Sequence, residues 1–161
     1  MSQLIFRVTS TAGGGKEAIG TLLWGQDSYG AVSGPYEKGS APLGDYAVET
    51  KKVVSGPTMD KGYCITDSQG KLCFFIPITP KFQTDRNGLG IHPDGNVPGS
   101  LGCIVIRSDH ARRFWDRWMQ TGVAERPDRL TIEKAEPQSR ARCPSLAAVA
   151  RLSPRPPARC S

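Results

Sequence analysis

Two residues of this 161-residue chain have the type and spacing for nucleophilic chemistry, Cys103 and His92. Both lie in the stretch 88–106, GLGIHPDGNVPGSLGCIVI, where the cysteine follows the histidine by eleven residues. A thiol attacks as the thiolate, and an imidazole beside it can take up the proton. The turn Gly99-Ser100-Leu101-Gly102 leads directly into Cys103. Its backbone makes the amides of Leu101, Gly102 and Cys103 candidate donors to an oxyanion. Ser100 is a candidate for orienting that loop or His92, or for bonding to local backbone as turn hydroxyls do. The second histidine, His110, follows Cys103 by seven residues. An extended strand between them would hold it roughly 20 Å from the thiol at about 3.3 Å per residue. His92 is joined to Cys103 by a loop instead, so two adjacent strands can bring the pair to one end. A cysteine ahead of Ile104-Val105-Ile106 also fits a small buried hydrophobe.

Other chemistry finds little support. The cysteines and histidines lack the short C-x₂-C or H-x₃-H spacing of a zinc site, so no metal is expected. No glycine-rich loop runs into a helix through Lys-Ser/Thr, so no nucleotide cofactor is expected either.

The elements that must position the pair are short and separated by many of the 18 glycines and 13 prolines. That punctuation predicts a mainly β domain. Residues 4–9 alternate Leu4, Phe6 and Val8 with Ile5, Arg7 and Thr9, a first strand turned by Gly13–Gly15. Strands are expected at 19–24, 29–33 and 45–54, with a loop over 33–44. Residues 63–66 and 72–76 flank Asp67-Ser68-Gln69-Gly70 and predict a hairpin. With Ser68 and Gln69 as the loop, Cys64 falls opposite Cys73 at a non-hydrogen-bonded position where a disulfide is possible. A three-residue loop ending at Gly70 would oppose Cys64 to Phe74. An oxidising compartment allows the bond and the cytosol disfavours it. Strands at 87–92 and 102–107 bracket the His/Cys loop. Ser108 then reads as the N-cap of a helix reaching about Gln120, with Gly122 just past its end. Ala111, Phe114, Trp115, Trp118 and Met119 form its apolar stripe. A last strand is expected at 129–133.

The net charge of +6 is unevenly placed. From Lys134 onward six basic residues face Glu136 alone, so that end carries +5 and the rest +1. The division predicts a nearly neutral domain over 1–135 and a basic, Pro/Arg/Ser-rich tail over 136–161, disordered apart from a short helical tendency at 146–152. A nucleic-acid-binding face is not indicated for the domain. No apolar run reaches the ~18 residues of a membrane span. The first twenty residues lack the basic-then-apolar pattern of a signal peptide, so synthesis in the cytoplasm is expected.

Residues 31–133 resemble the L,D-transpeptidase catalytic domain (YkuD-type), a family that cross-links or trims bacterial peptidoglycan. Ser33-Gly34 followed by Ala41-Pro42-Leu43-Gly44-Asp45-Tyr46 is similar to the family's early segment. His92, a spacer and Ser100-Leu101-Gly102-Cys103-Ile104 are similar to its His…Ser/Thr-His-Gly-Cys signature. A helix and a strand then follow in the family's order. Leu101 stands where the signature has a second histidine, Val105 where an arginine is common, and the His-to-Cys spacer is short. These features look more like a divergent branch that includes type VI secretion effectors and phage-associated relatives.

The resemblance implies a sandwich- or barrel-like β domain with one amphipathic helix after the catalytic strand, and no cofactor. It implies that Cys103 attacks the carbonyl between meso-diaminopimelate and D-Ala of a tetrapeptide stem, with His92 as the base, giving a thioester. An amine then completes transpeptidation, or water completes carboxypeptidase cleavage. Tyr46 would line the substrate groove or pack in the core. Peptidoglycan stem peptides would be the substrate, and a secretion-system carrier or an immunity protein a possible partner. The site of action would be the periplasm or cell wall, after delivery by another route. Papain-like wall hydrolases also use Cys and His, but there the cysteine comes first in the chain. The rival of another class is a non-catalytic phage or secretion-system structural module with a merely buried Cys103. An enzyme requires the thiol and a ring nitrogen within ~4 Å in an open cleft, allowing for looser geometry without substrate.

Overall fold

The computed structural model describes residues 2–95 and 97–136, which form a mainly β fold with one α-helix. Its strands are β1 (Leu4–Ala12), β2 (Glu17–Trp24), β3 (Asp27–Ser33), β4 (Gly44–Val48), β5 (Val54–Ser55), β6 (Cys64–Asp67), β7 (Gly70–Pro80), β8 (Gly90–Pro93), β9 (Ile104–Ile106) and β10 (Arg129–Lys134). The helix α1 (Ser108–Gln120) lies between β9 and β10. The sheet runs β4-β10-β1-β2-β3-β9-β8-β7, and β4 pairs with β7 as well, which closes it on itself. Closure removes the open edges that would otherwise template aggregation. Two pairings are parallel, β1 with β10 and β8 with β9.

Alternation does what it predicts in β1: Leu4, Phe6 and Val8 are buried while Arg7 and Thr9 face solvent. The core joins these to Trp24, Tyr29, Phe74, Ile91 and Ile104 from other strands and to Ala111, Phe114 and Trp118 of α1. Phe114 meets Tyr29 edge-on at 5.2 Å between ring centroids, and Trp115, half-buried, stacks on Phe74 at 4.6 Å. Met119 is 58% exposed, so the apolar stripe of α1 is one residue narrower than its spacing suggests.

Several boundaries differ from the sequence expectation. The segment 45–54 is not one strand: β4 ends at Val48, a turn follows, and β5 holds only two residues. β8 starts at Gly90, not residue 87, and β9 spans Ile104–Ile106 only. Ser108 is the first residue of α1 and Arg107 its N-cap, without a side-chain cap bond. Arg107 N–H donates to the Gly30 carbonyl, so the chain stays extended through Arg107 before it turns. Gly122 (φ −56°) is not a left-handed cap; Thr121 caps the helix with its N–H and hydroxyl on the Arg117 carbonyl.

The hairpin has the two-residue loop. Asp67 pairs with Gly70, the Asp67 carboxylate accepts from Gln69 N–H, and Cys64 faces Cys73 with Cα atoms 4.1 Å apart in a disulfide. No helix among the described residues is long and apolar enough to cross a membrane. The tail readings, including the helical tendency at 146–152, lie beyond the described residues apart from Glu136.

Candidate active site

Cys103 and His92 are brought together by the parallel pair β8–β9. Ile91 is level with Ile104 and His92 with Val105, which leaves Cys103 level with Gly90. Side chains two apart on a strand share a face, so His92 and Cys103 point to the same side of the sheet. Ile91 and Ile104 point to the other, into the core. The pair is offset by two residues, roughly 6.6 Å along the strands, and by one strand, roughly 4.8 Å across. Both line one cleft of about 610 Å³, together with Tyr63, Arg86, Ser100 and Leu101.

The imidazole is held firmly. Its Nδ1 lies 2.8 Å from the Pro93 carbonyl, an acceptor only, so Nδ1 carries the hydrogen and Nε2 keeps its lone pair. Tyr63 meets the ring edge-on at 4.9 Å, and Phe75 stacks on it at 5.9 Å. Only 6% of His92 is exposed. Burial pushes its pKa down to about 4, against the smaller upward pull of the Pro93 bond. His92 is therefore a neutral base at pH 7.

Cys103 is partly exposed and is the free thiol among the described residues. Burial pushes its pKa up, opposed by the Gly90 N–H beside the sulfur and by the positive charge of Arg86. Gly90 has no side chain because the Phe75 ring fills the space: an added Cβ would sit 2.3 Å from it. The resting pair is thus thiol and neutral imidazole, not an ion pair. No hydrogen bond joins Sγ to His92; the thiol faces the Gly88 carbonyl at 3.9 Å. The pair is not hydrogen-bonded at rest, and the parallel register sets the two side chains two residues apart along their strands.

The loop before Cys103 is tied down almost atom by atom. Ser100 Oγ donates to the Cys103 carbonyl (2.6 Å) and accepts from Gly102 N–H (3.1 Å) and Gly34 N–H (3.2 Å). Ser100 therefore shapes the turn, and its hydroxyl bonds to local backbone instead of to His92. Its backbone pairs with the 34–36 segment, through Ser100 N–H to Gly34 O and Tyr36 N–H to Ser100 O. Ser33 Oγ donates to the Gly102 carbonyl and accepts from Ala41 N–H. Gly102 N–H is engaged by Ser100, so it is not a free oxyanion donor. The N–H groups of Leu101 and Cys103 have no partner among the described residues. The Leu101 side chain, 57% exposed, makes the mouth of the cleft apolar.

Two other sequence candidates take structural roles. Tyr46 is fully buried, donates to the Pro42 carbonyl at 2.7 Å and packs edge-on against Phe82. It lies outside the cleft, a core residue and not a groove residue. His110 sits at the start of α1, where its Nδ1 accepts from Gly30 N–H at 2.6 Å.

Set against protein-family models, curated proteins and solved structures, the chain matches none of them. The family likeness stays a resemblance carried by residues. Among the described residues no cluster of three or more His, Cys, Asp or Glu could hold a metal ion. Tyr63 and Arg86 are absent from the sequence candidates. Tyr63 is an aromatic next to the paired Cys64, beside the hairpin, and Arg86 carries no local signal; Ser33 belongs to the Ser33-Gly34 pair of the resemblance, and the structure gives it the hydrogen bond to Gly102.

Proposed function

We propose that this chain is a peptidoglycan-acting cysteine enzyme, an L,D-transpeptidase or L,D-carboxypeptidase, with Cys103 as nucleophile and His92 as base. One observation carries the proposal: Cys103 and the free Nε2 lone pair of His92 come from adjacent strands onto one side of the sheet and line one cleft, with the tautomer set by Pro93.

The resting thiol is protonated, so attack on a stem-peptide carbonyl requires transfer of its proton to His92 Nε2 as the S–C bond forms. A base with a pKa of about 4 does not ionise the thiol beforehand. The transfer is driven by development of the tetrahedral oxyanion, for which the Leu101 and Cys103 N–H groups are the unpartnered donors. Collapse breaks the C–N bond to D-Ala, whose amine takes the proton back from the imidazolium and leaves. The acyl group remains on Cys103 as a thioester, which an acceptor amine or water then resolves. The proposed site of action is the periplasm or cell wall, reached by a route other than a signal peptide, with a secretion-system carrier or immunity protein as partner.

The rival reading, a non-catalytic module, is favoured by one observation, the lack of a Sγ–imidazole hydrogen bond. The test is to incubate tetrapeptide muropeptides with wild type and Cys103→Ala and follow the products by mass spectrometry. Loss of D-Ala or new cross-links with wild type alone supports the enzyme. Unchanged profiles with both proteins overturn it in favour of the module.

A further inference from the structure

Arg86 lies on the loop between β7 and β8 and has no place in the residues that carry the family resemblance. Its guanidinium nevertheless meets four backbone carbonyls. Nη1 donates to Lys38 (3.2 Å) and Ser40 (3.1 Å), and Nη2 to Gly39 (2.8 Å) and Leu101 (3.1 Å). These bonds join the 38–40 segment to the loop that presents Cys103. The seat for the guanidinium exists because residue 102 is glycine. A Cβ there would lie 1.9 Å from Arg86 Nη2, and the φ of +130° is one that other residues rarely adopt.

The charge is as telling as the bonds. All four acceptors are carbonyls, and Arg86 forms no ion pair among the described residues. Its neighbour Asp85 pairs with Lys38 at 2.7 Å. Besides Cys103, the cleft's other charged or titratable groups are Glu37, Asp60, Tyr63 and His92. Asp60 accepts from Gly62 N–H, and His92 is neutral at pH 7. Arg86 is thus a fixed cation on the wall of the cleft that holds the thiol, and its field favours the thiolate against the burial that disfavours it. A guanidinium whose four terminal N–H groups already hold the loop is poorly placed to clamp a substrate carboxylate.

We propose that Arg86 is a positioning residue for Cys103: it locks the Leu101–Gly102 backbone to the 38–40 segment and fixes a positive charge on the wall of the cleft that holds the sulfur. The inference rests on the proposed nucleophilic role of Cys103. It makes Arg86 act on the chemical step and leave substrate affinity alone.

The experiment measures the rate of Cys103 alkylation by iodoacetamide against pH, read at the Cys103 peptide by mass spectrometry, in the full disulfide-bonded chain. Muropeptide turnover is measured on the same preparations. Arg86→Met should alkylate at neutral pH more slowly, on the order of threefold, as loss of a unit charge from the wall of the same cleft implies, with its profile moved to higher pH. Arg86→Lys keeps the charge without the fork. It should hold the alkylation profile closer to wild type than Arg86→Met does, and lose kcat about tenfold or more with KM unchanged. If Arg86→Met does not fold, Gly102→Ala, which displaces the guanidinium, takes its place with the same expected slowing. A wild-type alkylation profile in Arg86→Met, or in Gly102→Ala where that replaces it, overturns the proposal, as does loss of affinity alone in Arg86→Lys. Slowed alkylation in a chain inert on muropeptides upholds the role of Arg86 at the thiol and overturns the peptidoglycan reading instead.

Discussion

Lowering the pH from 7.5 to 4.5 should weaken the fold through one side chain, His92. In the unfolded chain its imidazole has an ordinary pKa of about 6.5. In the folded chain burial holds it at about 4. Between those values the unfolded state binds a proton that the folded state does not, so stability falls as the pH falls through this window. At pH 7.5 neither state is appreciably protonated. At pH 4.5 the unfolded imidazole is almost fully charged and the folded one mostly neutral, a difference of about 2.5 kcal/mol. His92 is 6% exposed, so solvent screening removes little of it. The assay is urea unfolding followed by tryptophan fluorescence at both pH values, for wild type and His92→Gln. Carboxylates that also titrate, such as Asp67, whose pKa is lowered by its hydrogen bond from Arg112, contribute to both proteins and cancel. Wild type should lose about 2.5 kcal/mol more than the variant, an extra fall of about 1–2 M in urea midpoint at a typical denaturant slope. Equal losses in the two proteins would refute the reasoning and mean that the folded imidazole reaches water.

Replacing both Cys64 and Cys73 by Ser, nine positions apart in the chain, should cost about 2.5 kcal/mol from loop-closure entropy. The same unfolding assay at pH 7.5 checks it, and an unchanged midpoint would contradict it. Ser100→Ala strips one hydroxyl from two buried N–H groups and a carbonyl, and should cost about 2 kcal/mol. Hydrogen exchange should quicken most at the Gly34 and Gly102 amides, and protection equal to wild type there would show that another group replaces the hydroxyl.

Much of the frame is legible because its signals are local. A period of two buries one face of β1, a period near 3.6 builds α1, and Asp67-Ser68-Gln69-Gly70 marks a hairpin turn, whose two-residue register, setting Cys64 against Cys73, is decided by the structure. The ban on His110 as a partner for Cys103 is also local, because it follows from chain length along an extended strand. Only the tertiary structure decides the rest. The parallel pairing of β1 with β10 joins the two ends of the domain, and β4 closes the ring between β10 and β7, contacts no short window can encode. Tyr46 carries the same letters whether it lines a groove or fills a core, and the T-shaped packing on Phe82 settles which. Arg86 holds the cysteine loop by a carbonyl, and every residue has a carbonyl, so such a partner leaves no pattern in sequence. The opening pair shows the division most clearly. Residue types and a spacing of eleven positions mark His92 and Cys103 as a candidate pair. The register of two parallel strands, set by packing across the closed sheet, puts them on one face with a two-residue offset.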